Sequence, residues 1–322
     1  MALEFYQTLA KNLRSQPVVV ATVIATKGSV PREVGAKMLI GADWTLDTIG
    51  GGAGEAKIIQ QGRSLLASGN KHQTTIDLTG DATLVKEGIC GGQMSLWLER
   101  WLGAEAVELA GAIATALQEG QALQLNTPFA SNQIPTLTPA ARTAFNPQLT
   151  ATAFIEPLHP SALLLIVGAG HVGKALAQVA HIAGFQIAVQ DDRPAFANAA
   201  HYPQAQVIFT DPIEQTLQQI CPHPNLFVAL VTRGYPFDLA ALTSLYQHKV
   251  TCRYLGMIGS QKRVQTVVRS LQAQGIATPQ LARLHAPIGL EIGALTPGEI
   301  AISICAELIR VRRGDQAILN PV

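Results

Sequence analysis

The stretch ALLLIVGAGHVGKALAQVAHIAGFQIAVQDDRP, from Ala162 to Pro194, constrains this chain more than any other. An apolar run, a glycine loop, an apolar-periodic segment, a second apolar run and an acidic end follow one another as in the first βαβ unit of a dinucleotide-binding fold. In GAGHVG, Gly168 suits the tight turn out of the strand, Gly170 lets the backbone approach a pyrophosphate, and Gly173 permits close contact of helix with strand. A helix starting at His171 would aim free N–H groups and the positive end of its dipole at an anion. Asp191 and Asp192 stand at the end of the second strand, where a carboxylate can bond ribose hydroxyls.

The remainder of the second half repeats the pattern. LLLIV, FQIAVQ, AQVIFT, LFVALVT and RYLGMIG read as strands, each followed by a loop and a helix-compatible stretch, which predicts a doubly wound parallel sheet over 161–322. The last helix opens at TPGE, where Thr296 can cap, Pro297 fits the first helical position and Glu299 completes a capping box. Arg233 follows the fourth strand, at the carboxyl edge where open α/β sheets bind ligands, and Lys262 and Arg263 can add charge at a further strand-to-helix turn.

The first half reads as a mixed α/β domain over 1–122. It opens with an amphipathic helix, continues through the buried strand PVVVATVIATKG and the run MLI, and then the glycine cluster GGGAG enters a helix that Gly69 and Asn70 can end. HQTTIDL and QMSLWLERW are strand-like, with KEGICGG as the turn between them, and an alanine-rich helix closes the domain. Gly51 and Gly52 thus stand at a second glycine-rich helix entrance, and Glu55 is placed for the helix dipole. Arg32 and Lys37 bracket a loop where they could pair a phosphate or remain ordinary surface charges. Residues 123–160 carry prolines 128, 135, 139, 147, 157 and 160 among many Thr and Asn, a texture that suits a linker or irregular arm.

Composition narrows the partners. The 322 residues carry a net charge of +1 and are only 14% charged, which leaves no electrostatic footprint for nucleic acid. The first residues lack the apolar core of a signal peptide, and the apolar runs are too interrupted for a membrane span, so a cytoplasmic protein is expected. A chain with so few charges has apolar surface to bury, and a homodimer is the expected assembly. The four cysteines show no paired spacing. Cys221, Cys252 and Cys305 read as core. Cys90 stands immediately before Gly91 and Gly92, whose amide dipoles could favour its thiolate, so it is either a small buried residue or a metal or sulfur ligand.

A glycine loop licenses binding and not hydride transfer. No Ser-Tyr-x-x-x-Lys or comparable constellation follows it, and His171 lies within the loop, facing phosphate more naturally than substrate. An NAD-dependent oxidoreductase therefore stands as an alternative, and a scaffold that binds only a partner enzyme as a third.

Eight segments in order carry a resemblance that covers most of the chain outside 123–160. They are TKGSVPREVGAKMLI, IGGGAGEAKI, GICGGQMSLWLE, VGAGHVGKALA, VQDDRPAFAN, VTRGYPFD, YLGMIGSQKRV and HAPIGLEIGALTPGEIAISICAELI. Together they resemble the XdhC/CoxI family, the xanthine dehydrogenase accessory factors. The resemblance implies a protein that binds molybdenum cofactor (molybdopterin), supports its sulfuration with a cysteine desulfurase as partner, and delivers it to a xanthine dehydrogenase-type molybdenum hydroxylase. It implies a cofactor site drawn from Gly51, Gly52, Cys90, Gly91, Gly168, Gly170, His171, Gly173, Asp191, Asp192 and Arg233, with Cys90 at the metal and NAD or another nucleotide as a further ligand. One departure stands out: where the family commonly has histidines around this motif, the chain reads TRGYPFD, with Tyr235, Pro236 and Phe237. The GGG and CGG glycine motifs also resemble one branch of the family, so the client hydroxylase expected from this resemblance is not fixed.

Overall fold

A computed structural model describes residues 2–78, 91–131, 133–140, 145–220 and 222–313. The chain divides into two compact units, Met1–His159 and Pro160–Val322.

In the first unit, α1 (Ala2–Leu13) is followed by β1 (Val18–Lys27), β2 (Lys37–Ile40), β3 (Thr45–Leu46), α2 (Gly52–Ser68), β4 (His72–Asp77), β5 (Gln93–Trp101) and α3 (Ala104–Gln118). The strands form an antiparallel sheet in the order β3-β2-β1-β5-β4. Its central strand β1 is buried without interruption from Val18 to Ile24, because both faces of the sheet are covered. Val18 and Val20 face the cluster that holds Leu9, Ile113 and Leu117 of α1 and α3, whereas Val19, Ala21 and Val23 face Ile58 and Leu65 of α2. The period-2 alternation of a strand thus sorts one apolar run into two cores.

Residues 123–158 depart from the expected linker. They form β6 (Leu123–Pro128), β7 (Thr136–Pro139), β8 (Gln148–Leu149) and β9 (Ala153–Leu158), an antiparallel sheet in the order β7-β6-β9-β8. Pro128 and Pro139 are the last residues of their strands and Pro135 and Pro147 lie in the connections, so proline punctuates the strands more than it prevents them. Phe154 and Leu158 alternate inward to anchor the sheet.

The second unit contains β10 (Leu163–Val167), α4 (His171–Ile182), β11 (Gln186–Gln190), β12 (Ala205–Phe209), α5 (Ile213–Ile220), β13 (Leu226–Leu230), α6 (Tyr235–Gln247), β14 (Tyr254–Met257), α7 (Gln261–Ala273), α8 (Thr278–Leu281) and α9 (Pro297–Arg313). All five strands run parallel in the order β12-β11-β10-β13-β14, as in a Rossmann-like domain. Leu164 and Ile166 face α4 and α9, whereas Leu163, Leu165 and Val167 face α5, α6 and α7. Every expected strand is present, but β11 is not followed by a helix: residues 191–204 are turns, consistent with Pro194 and Pro203 interrupting that crossover.

Beyond β14 the main chain of 285–288 continues the sheet. His285 N–H donates to the Leu255 carbonyl at 3.0 Å, Met257 N–H to that of His285 at 2.9 Å, and Ile288 N–H to that of Met257 at 2.9 Å. The pairing of Gly256 with His285 is parallel, so this segment takes the place of a sixth strand. The capping box of α9 forms as expected: Thr296 Oγ1 accepts from Glu299 N–H at 3.3 Å, and the Glu299 carboxylate accepts from Thr296 N–H at 2.8 Å.

Candidate functional site

The carboxyl ends of β10, β11 and β13 converge at the glycine loop. Gly168 has φ +113°, and a Cβ there would lie 2.6 Å from the Val231 carbonyl oxygen; one on Gly173 would collide with the carbonyl of Gly168. These two glycines are demanded by the protein itself. Gly170 is different. It is the N-cap of α4, and a Cβ built on it meets no atom within 4 Å, so its face opens outward. His171, the exposed first residue of α4, stands beside it with the helix's unsatisfied first-turn amides.

Asp191 is buried at 4% exposure and already engaged. One oxygen accepts Ala169 N–H at 2.8 Å, and the carboxylate receives the Arg193 guanidinium in a fork with both contacts at 2.8 Å, plus Arg193 N–H at 3.1 Å. Burial alone would raise this carboxyl, but the bonds from Arg193 and Ala169 outweigh it and hold it at about 2. Asp192 is 53% exposed and takes Arg233 in a second fork at 2.7 and 2.9 Å. Arg233 also lies 3.6 Å from Asp191, so the two arginines and two aspartates form one linked group. Each guanidinium rests on an aromatic ring: Arg193 on Phe196 at 4.1 Å and Arg233 on Phe237 at 3.6 Å from the ring centroid.

Beneath this group, Asp238 is fully buried. It accepts Thr232 Oγ1 and Arg263 Nε, each at 2.6 Å, and Arg263 also donates to Thr232 Oγ1 at 3.0 Å. Burial raises the Asp238 carboxyl despite these partners. Tyr235 and Phe237, which replace the histidines of the resembling family, have clear roles here: the Tyr235 hydroxyl meets Ser270 Oγ at 2.9 Å, tying α6 to α7, and Phe237 supports Arg233.

The second glycine loop lies in the first unit. Gly50, Gly51 and Gly52 all have positive φ, and Gly51 and Gly52 face open space. The amides around them are spoken for: Glu55 accepts Ile49 N–H at 3.0 Å, Gly51 N–H at 3.1 Å and the Thr48 hydroxyl. Burial opposes ionisation of Glu55, yet these bonds lower its carboxyl below the usual range. Gly51 and Gly52 line a cavity of about 160 Å³ with Leu78 and Met94. Gly91 N–H donates to Leu78 O at 3.0 Å, which places Gly91 beside Leu78 of that cavity. Cys90 lies outside the described residues, as does Cys221; Cys252 and Cys305 are buried.

Sequence reasoning named the glycines, the aspartates and Arg233. It missed Arg193, which the strand-end pattern D-D-R could have signalled, and Glu55 as the acceptor that fills its own loop.

Comparison with known proteins fits this architecture. Residues 164–308 match the XdhC Rossmann domain, and residues 13–77 match the XdhC and CoxI family. The chain is a member of the XdhC/CoxI family. It is 28% identical over 316 residues to the uncharacterized protein YqeB of Escherichia coli, covering 95% of this chain and 46% of that one, so it spans about half of that relative's length. It is 23% identical over 297 residues to the molybdenum cofactor insertion chaperone PaoD of Escherichia coli, covering 91% of this chain and 83% of PaoD. The crystal structure of a xanthine dehydrogenase from Bacillus halodurans superimposes with a TM-score of 0.78 at 25% identity, covering 97% of this chain and 96% of that one.

The residues present fit part of the cofactor that this family implies. The open face of Gly170 and the first turn of α4 suit a phosphate. Among the described residues no group of three or more His, Cys, Asp or Glu is arranged to hold a metal ion. No helix among them is long and apolar enough to cross a membrane.

Proposed function

We propose that this chain is an accessory protein that binds molybdenum cofactor, supports its sulfuration and passes it to a xanthine dehydrogenase-type hydroxylase. The observation that carries the reading is the outward-facing Gly170 at the start of α4. Gly168 and Gly173 are required by contacts within the protein, whereas Gly170 keeps a surface clear that the protein does not itself use. Family membership and the likeness to PaoD support the same reading.

In this proposal Gly170 and the His171 turn hold the phosphate or nucleotide tail, and Arg233 leaves Asp192 to pair it, since the Asp192 side chain is 53% exposed and that of Asp191 only 3%. Gly51, Gly52 and Gly91 border the pterin, with Cys90 as the ligand toward the metal. The bound group supplies the molybdenum centre and sulfido ligand that the client needs. A cysteine desulfurase as sulfur source, a homodimeric assembly and a cytoplasmic location belong to the same proposal.

The test is to purify the chain from cells that make active cofactor and to determine molybdenum and pterin per chain, beside Gly170→Asp and Cys90→Ala. Both components should accompany the wild type. Gly170→Asp should lose both, and Cys90→Ala should lose molybdenum first. Wild-type protein free of both, yet binding NAD at micromolar concentration and turning over an alcohol or carbonyl, would replace this reading with the oxidoreductase one.

A further inference from the structure

Helix α9 covers one face of the parallel sheet beside α4 and turns its other side outward. On the inward side Ala301, Ile304 and Leu308 are buried; on the outward side Glu299, Ile302, Arg310 and Arg313 are exposed and Ala306 is half-buried. The outward positions recur every three or four residues, so they form one stripe along the helix. Ile302 is 54% exposed within that stripe, and Leu295, just before the helix, is 86% exposed. At the other end Arg312 Nη2 donates to the Ala183 carbonyl at 2.9 Å, so α4 and α9 finish together, and Ile182 in the last turn of α4 is also 86% exposed.

The charges of α9 are sorted by end. Glu307 is buried, and Arg312 is turned to Ala183 and the Phe185 ring, which leaves Glu299 in the first turn and Arg310 and Arg313 in the last. That order suits the dipole of the helix itself, but the dipole gives no reason for the exposed isoleucine and leucine. The stripe also has a centre. Ala306 lies seven residues from Glu299 and seven from Arg313, four from Ile302 and four from Arg310. A second copy of α9 laid antiparallel across Ala306 therefore brings Glu299 of each copy, about 10.5 Å along the helix from the crossing point, to the level of Arg313 of the other.

The local chemistry suits this pairing. Both main-chain bonds to the Glu299 carboxylate fall on Oε2, which leaves Oε1 to accept from a guanidinium. Ala306 carries only a methyl group, so the two backbones can approach closely where they cross. The same two-fold carries Leu295 of each copy to the end of α9 where Ile182 of the other stands. A parallel pairing would set glutamate on glutamate and arginine on arginine, and a head-to-tail contact would not close. We infer that the outward side of α9 is the surface through which two copies of this chain form a two-fold dimer, with Ala306 at the axis. The inference rests on the homodimeric part of the function proposed above and gives it a surface; the cofactor site takes no part in it.

The experiment is sedimentation equilibrium of the full chain and three variants, with Tm measured beside it. Wild type should be a reversible dimer. Ala306→Glu places two like charges on the axis and should leave only folded monomer. Glu299→Lys and Arg313→Glu should each self-associate about tenfold more weakly than wild type, because each puts like charges together at both ends of the contact. An equimolar mixture of those two should associate as tightly as wild type, since both ends then join opposite charges. Variants that merely fold poorly would show no such recovery, so the mixture tests the surface even where Ala306→Glu does not fold. A mixture that associates no better than either variant alone, or an Ala306→Glu protein that is folded and still dimeric, would overturn the inference and assign dimerisation to another surface. A monomeric wild type would overturn it together with the homodimeric part of the proposed function, while molybdenum and pterin content test the cofactor part separately.

Discussion

The carboxylate of Asp191, at the end of β11, accepts the main-chain N–H of Ala169 inside the glycine loop at 2.8 Å. In the sequence this aspartate reads as a ribose ligand; in the fold it is part of the loop. Its two oxygens receive the loop amide and the Arg193 fork, so the negative charge that fixes the loop's shape comes from the protein.

Replacing Asp191 by Asn therefore acts on folding. The fork and the amide lose a charge-assisted acceptor at a buried site, and stability should fall by about 2 kcal/mol in urea denaturation. An unchanged midpoint would show that the carboxylate anchors nothing.

The three loop glycines should separate in a paired experiment. Gly173→Ala drives a methyl group into the carbonyl of Gly168 and should cost about 2–3 kcal/mol. Gly170→Ala enters open space at φ −77°, and its stability should stay within about 0.5 kcal/mol of wild type. The same Gly170→Ala protein should retain less cofactor, because the methyl group occupies the surface a phosphate would approach. Unfolding midpoints and pterin content measured on the two variants read these effects independently.

Glu307 of α9 makes stability depend on pH. It accepts Tyr254 Oη at 2.6 Å, Gly289 N–H at 2.8 Å, and His285 Nδ1 and Arg310 Nη2, each at 3.1 Å. Burial would raise its carboxyl, but the bonds from His285, Tyr254 and Gly289 bring it to about 2, against an ordinary 4.5. A depressed carboxylate contributes its stability above the ordinary value and loses it as pH falls through the folded one. The loss should reach on the order of 3 kcal/mol between about pH 5 and pH 2. Urea midpoints across that window should show a steeper decline for wild type than for Glu307→Gln, which begins less stable and has no such carboxylate to protonate.

Glu55 gives a fourth test. Glu55→Ala leaves the amides of Ile49 and Gly51 without their acceptor and should cost about 1–2 kcal/mol. Hydrogen exchange at those two amides should accelerate in the variant and not in wild type.

What could be read from the sequence, and what could not, divides along physical lines. The five parallel strands were legible because each is a short apolar run flanked by turn residues, and the Gly168–Gly173 spacing was legible because backbone sterics dictate it. The strands within 123–158 were hidden because proline density resembles a linker until one sees that Pro128 and Pro139 end strands. The partners of Asp191 and Glu55 were hidden for another reason. A carboxylate near a glycine loop suits a ligand and a main-chain amide equally well, and only the folded geometry chooses between them. The segment 285–288 escaped notice because its pairing with β14 spans few residues and includes Pro287, which strand patterns exclude from central positions.

That short segment also governs how the parallel sheet can grow. A sheet edge offers rows of donors and acceptors to any extended chain, and proteins that stay soluble blunt their edges. On the β14 side, the outermost strand position is only a few residues long and includes Pro287, which has no N–H to give. Among the described residues the opposite border is β12, with Gln206 and Val207 exposed. Strand addition to this domain, whether productive or as the first step of aggregation, is therefore directed to β12.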